Sequence, residues 1–152
     1  MTIIEGLLNN FITELINQIY PVDHIVHENY ELYKAKDSKA TLVLFPGGAS
    51  SAKETKEEFD ITTTATANNV SILFMNFNRH LWIDKTTSKQ LSNELETIFT
   101  ENDLKTTNVY IGGISIGGNV ALILSNYLHQ NNINIAPKGT FIVDSPIEPL
   151  LK

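Results

Sequence analysis

The sequence predicts an α/β protein of three layers, with helices on both faces of a mostly parallel sheet. Three observations predict it. Apolar runs such as LVLF (42–45) and VSILFM (70–75) are stopped by turn-forming residues, as in strands buried on both faces. Between them lie segments whose apolar residues recur at steps of three and four, the pattern of helices with one inward face. The connections are short, and strands alternating with helices in this way build a parallel sheet covered on both sides.

Taken in order, residues 1–20 carry Ile4, Leu7, Leu8, Phe11, Ile12, Leu15, Ile16 and Ile19 on one stripe, which predicts an amphipathic helix closed by Pro21. Packing of that stripe onto its own domain is expected. His24 to Ala35 alternates loosely and predicts one or two outer strands. Leu42 to Phe45 is a buried strand ended by Pro-Gly-Gly. Ser51 and Glu54 form a capping-box pair that opens a polar helix, and this helix is expected to fade into the threonine-rich ITTTATANN. Val70 to Phe77 is a second buried strand. Thr87 and Gln90 are a candidate cap, after which Leu91, Leu95, Ile98 and Phe99 give a helix its inner face. Val109 to Gly112 is a third strand, Asn119 to His129 a helix apolar around much of its circumference, and Thr140 to Val143 a fourth strand.

Length and composition bound the reading. A single domain, 1–152, is expected, with a core of useful size. The net charge of −6, with no lysine-arginine cluster, argues against nucleic acid or an anionic membrane as partner. Cysteine is absent, which excludes disulfides and thiolate metal sites. No apolar run approaches the roughly 20 residues that cross a bilayer, and MTIIEGLLNN carries no secretory signal pattern. A cytoplasmic protein is expected, and no cofactor or metal is implied.

The chemistry concentrates in GGISIGG (112–118). Four of the chain's 8 glycines surround one serine at the end of a buried strand and the start of a helix. Gly113-Ile114-Ser115-Ile116-Gly117 matches G-x-S-x-G, the nucleophile elbow, in which a sharp strand-to-helix turn lifts the serine hydroxyl clear of the sheet. Side chains at 113 and 117 are expected to collide with neighbouring backbone, while Gly112 and Gly118 give strand and helix room to approach. Other glycine-loop readings fail. A P-loop needs Gly-Lys-Ser/Thr, and the dinucleotide fingerprint needs G-x-G-x-x-G, whereas the spacing here is GG-x-x-x-GG. An acyl-transfer serine also needs two backbone N–H donors for the oxyanion. Ile116 is placed to supply one, and Gly48 of Pro46-Gly47-Gly48-Ala49 the other.

At these residues the sequence resembles the α/β-hydrolase superfamily. LVLFPGG is similar to its oxyanion-loop strand, VSILFMNFNRH to the strand that follows, NVYIGGISIGGNVAL to the nucleophile strand and helix, and KGTFIVDSP to the next strand, so the resemblance covers about 40–145. It implies Ser115 as nucleophile in a serine esterase-like enzyme acting on a small acyl substrate, with a carboxylate and a histidine later in the chain. Here the sequence departs from the pattern. His129, the one histidine after Ser115, falls roughly 15 Å along the elbow helix toward the opposite side of the sheet. His80 follows a strand on the correct edge, where the family carries a loop histidine outside its triad. His24 and His27 belong to an outer strand. Asp144 stands where some members carry their acid, although Ser145, Pro146 and Glu148 also read as a helix cap.

The family's sheet continues beyond this point, so the 152 residues are expected to be the amino-terminal portion of a longer hydrolase, with the base outside them. An open edge after the fourth strand would then favour self-association or a complementary C-terminal fragment. The rival from another class is a non-catalytic interaction module on the same scaffold. A flavodoxin-like sheet with an accidental elbow is the remaining alternative.

Overall fold

The computed structural model describes residues 2–19, 22–48, 50–76 and 84–145. Helix α1 (Ile3–Ile19) leads into an antiparallel hairpin, β1 (Val22–Val26) and β2 (Tyr30–Ala35). There follow β3 (Ala40–Phe45), the short helices α2 (Ala52–Glu58) and α3 (Thr62–Ala67), β4 (Val70–Met75), α4 (Lys85–Glu101), β5 (Val109–Ile114), α5 (Ile116–Gln130) and β6 (Pro137–Val143). The six strands form one sheet in the order β1-β2-β4-β3-β5-β6. Strands β4, β3, β5 and β6 run parallel; β2 is antiparallel to both β1 and β4. The carboxyl ends of β3, β5 and β6 therefore share one edge of the sheet.

Alternation along the central strands fills two cores. On one face Val43, Phe45, Leu73, Met75 and Ile111 meet Leu95, Ile98 and Phe99 of α4 and Val120, Leu124 and Leu128 of α5. On the other, Leu44, Ile72 and Phe74 meet Ala52 of α2, with Ile61 and Ala65 packed beside them. The second core is smaller because α2 and α3 are short, α2 being mostly charged and α3 threonine-rich. These layers are the ones the apolar runs predict.

Several details differ from the sequence expectations. Asp84, not Thr87, is the N-cap of α4, its Oδ1 accepting from the Thr87 N–H at 2.8 Å. A carboxylate three residues earlier outcompetes the threonine because it accepts the same class of helix N–H with a full charge. The threonine-rich stretch is a separate helix, α3, and not a fading end of α2; the α2 capping box is present, with Ser51 and Glu54 bonded reciprocally. Strand β6 begins at Pro137, a residue tolerated at a strand start on a sheet edge. Helix α5 is buried against the sheet and flanked by α4, yet leaves Leu122 and His129 on its solvent side. Phe77, His80, Pro146 and Glu148 lie outside the described residues.

The largest correction concerns α1. Its stripe does not pack on the domain: Ile3, Ile4, Leu7, Leu8, Phe11, Ile12 and Leu15 are all exposed, from 43% at Ile12 to 83% at Ile3. Among the residues of α1 whose burial is described only Gly6 is partly covered; Thr13, itself exposed, borders a cleft of about 440 Å³ shared with Thr62, Thr63 and Thr66. Helix α3 offers hydroxyls and no apolar seat, so the stripe has nothing to land on.

Candidate active site

Strand β5 ends at Ile114 and α5 begins at Ile116, leaving Ser115 alone to turn the chain. It does so at φ 52° and ψ −123°, in the left-handed half of backbone space that a residue with a Cβ rarely occupies. Three bonds hold it there. Its N–H donates to the Val143 carbonyl at 2.7 Å, extending the β5–β6 ladder by one residue. Its carbonyl accepts from the Gly118 N–H at 3.0 Å and from Ser145 Oγ at 2.5 Å.

Among the described residues two serines, Ser51 and Ser115, occupy N-cap positions, and they differ. Ser51 is extended, at φ −85° and ψ 168°, and its hydroxyl accepts from the Glu54 N–H. The Ser115 side chain makes no capping bond. An N-cap serine ordinarily satisfies one of the helix's unpaired donors; the turn at 115 aims the hydroxyl elsewhere and leaves the helix mouth open. Among the described residues, no acceptor takes up the Ile116 N–H.

The glycines have distinct steric reasons. A Cβ at Gly113 would lie 2.0 Å from the Gly117 carbonyl oxygen, and one at Gly117 would lie 2.2 Å from the Pro46 oxygen. The elbow thus closes backbone against backbone, and brings the residues after β3 against α5. Gly112 and Gly118 serve differently from the expectation: they admit the Phe141 ring and the Ser145 side chain, both from the β6 side, instead of spacing strand from helix.

The turn after β3 lies beside the serine. A Cβ at Gly47 would sit 3.4 Å from Ser115 Cβ. Gly48 follows at φ +54°, exposed, and a Ser50 N–H bond to the Gly47 carbonyl at 3.0 Å closes the turn. Asp144 stands one residue past Val143, the acceptor for Ser115 N–H; it is exposed and itself at φ 50°. Ser115, Ile116, Gly48 and Asp144 therefore gather at one sheet edge. The described histidines do not. His24 and His27 sit at the far β1 edge, stacked on Tyr33 and Tyr30, and His129 is in the last turn of α5.

Two supporting residues carry no motif. Asn76, just past β4, accepts from the Ala52 N–H at 2.6 Å and donates to the Glu28 carbonyl at 2.6 Å, tying the start of α2 to the β1–β2 hairpin. Ser145 braces the elbow through the Ser115 carbonyl. Both act through partners 24 or more residues away, which no local pattern reveals.

Solved structures share this fold. A bacterial heroin esterase superposes with a TM-score of 0.62 over 93% of this chain and 50% of its own, at 9% identity. Fluorophosphonate-binding serine hydrolase F of Staphylococcus aureus gives 0.63 over 88% and 60%, at 13% identity. An α/β-hydrolase superfamily protein from Enterococcus faecalis gives 0.60 over 82% and 47%, at 17% identity. The chain has the α/β-hydrolase fold. It spans about half to three fifths of the length of these structures. No family model matches the sequence, and no curated protein does. Within the α/β-hydrolase fold, the turn at Ser115 falls between the strand and helix that the sequence resemblance assigns to the nucleophile.

Proposed function

We propose that this chain carries the nucleophile of a serine hydrolase that cleaves carboxylic esters or similar acyl bonds. One observation carries the reading: Ser115 is held at positive φ on a strand-to-helix turn, with its hydroxyl excluded from the capping bond an N-cap serine normally makes. Such strain persists only where surrounding structure enforces it, and it concentrates at reactive positions. In the proposed reaction Ser115 Oγ attacks the acyl carbon as its proton passes to the base; the base returns that proton to the leaving oxygen as the ester C–O bond breaks, and water then hydrolyses the acyl-serine by the same route to release the acid. The carbonyl oxygen, negative in the tetrahedral intermediate, is held by the Ile116 and Gly48 N–H groups at the positive end of α5. Asp144, one residue past the strand that pairs with β5, is proposed as the acid that orients the base.

The base is a histidine outside the described residues, His80 or one in a longer parent protein. The spread of His24, His27 and His129 away from Ser115 also supports a second reading, a non-catalytic module on this scaffold. A serine-directed fluorophosphonate separates the two. Labelling of the folded chain that disappears in Ser115→Ala supports the hydrolase; no serine-dependent labelling of a folded chain supports the module.

A further inference from the structure

We propose that the outward apolar stripe of α1 is the surface through which two copies of this chain associate. The helix lies beside α3 with none of its described residues buried. Thr13 faces the hydroxyl-lined cleft beside α3, while Ile4, Leu8, Phe11 and Leu15 point to solvent. The helix is well formed without a tertiary partner for that stripe: Thr2 and Glu5 make a reciprocal capping box, at 2.8 and 3.2 Å.

The exposed area is what a dimer needs. At roughly 150 Å² for a fully exposed large side chain, the seven side chains present about 600 Å² of apolar surface per protomer. Burying that on both copies removes about 1,200 Å², the lower bound for specific, stable interfaces. It is also at the upper end of what a monomer leaves exposed in one patch. The spacing suits an identical helix as partner. Ile4, Leu8, Phe11 and Leu15 follow steps of four, three and four, the repeat whose side chains interleave with a like helix.

Charge argues against a bilayer as occupant. Residues 1–33 contain no lysine or arginine but include Glu5, Glu14, Asp23, Glu28 and Glu31. Surface-lying helices use basic residues to hold anionic headgroups, and this segment would be repelled by them. A second copy requires no such attraction, because Glu5 and Glu14 flank the stripe from opposite sides and leave its centre uncharged.

Light scattering after size exclusion tests this on the purified chain. At tens of micromolar, wild type elutes with twice the 17.0 kDa chain mass. Leu8→Glu combined with Phe11→Glu, at positions the fold leaves exposed, elutes as a monomer with unchanged far-UV circular dichroism. Its dimer dissociation constant rises roughly thirtyfold or more. Wild type that stays monomeric overturns the proposal, as does a double variant that still dimerises, which would move association to the β6 edge. A monomer that instead co-sediments with neutral phosphatidylcholine vesicles would assign the stripe to lipid and overturn it too.

Discussion

The steric account of the elbow is testable at one methyl group. In Gly113→Ala the new Cβ lies 2.0 Å from the Gly117 oxygen, 2.1 Å from its carbonyl carbon and 2.4 Å from the Gly118 nitrogen. All three are backbone atoms of the first turn of α5, so relief requires the helix to slide away from β5 by about 1 Å, against the core that Val120 and Leu124 form. Overpacking of this kind costs about 3 kcal/mol, a large share of the roughly 5–15 kcal/mol that stabilises a domain. Gly112→Ala meets an equally short contact, 2.0 Å, but with the Phe141 ring, a half-buried side chain on the edge strand that can rotate aside; about 1 kcal/mol is expected. Gly48→Ala meets nothing within 4 Å and suffers only from its φ of +54°, again about 1 kcal/mol. Urea unfolding followed by far-UV circular dichroism reads all three. Gly113→Ala should lower the midpoint by about 1 to 2 M with the slope unchanged, and the other two by about a third of that. A Gly113→Ala midpoint no lower than that of Gly48→Ala refutes the close-approach argument.

Two further outcomes follow from local chemistry. Burial first, and then the Glu31 carboxylate, push the Tyr33 phenol from its ordinary 10.0 up to about 12. Because the fold favours the neutral phenol, its contribution to stability is complete below pH 10 and is lost as pH rises from 10 to 12. Phenolate absorbance should show a late-titrating component that Tyr33→Phe removes; a titration curve whose late part is unchanged in Tyr33→Phe would disprove this environment. Ser51→Ala deletes the α2 cap and should cost about 1 kcal/mol in urea unfolding. No loss there would mean the capping box contributes nothing.

Much of the fold is legible because the sheet is buried on both faces. Leu42 to Phe45 and Val70 to Met75 are continuous apolar runs, and both faces of β3 and β4 meet a core. The elbow is legible for a different reason. Each of its glycines answers a contact that a side chain would violate, so the composition itself records the geometry. Position along a chain is less legible than type. Asp84 and Thr87 both satisfy a cap pattern, and the choice depends on where α4 can begin relative to the core. The bracing bonds from Asn76 and Ser145 are invisible beforehand, since sequence separation hides their partners. No described histidine lies beside Ser115, so a base for the proposed hydrolysis is the component that the described residues do not supply.

Helix α1 marks a limit of a deeper kind. A stripe of apolar residues at steps of three and four states that a helix has a face to bury, but not which molecule buries it. The missing information lies in the prospective seat. The stretch TTTATA forms α3, whose side chains toward the cleft are threonines. Seating Leu8 and Phe11 there would strip hydroxyls of water without replacing their hydrogen bonds, a loss of about 1–3 kcal/mol for each unpaired group. Thr13, itself exposed, borders the cleft instead, and the stripe stays outside. Reading the helix together with its neighbour's composition, and not alone, predicts the outward mounting. No described residue of α1 belongs to either core, and its apolar side chains stand exposed.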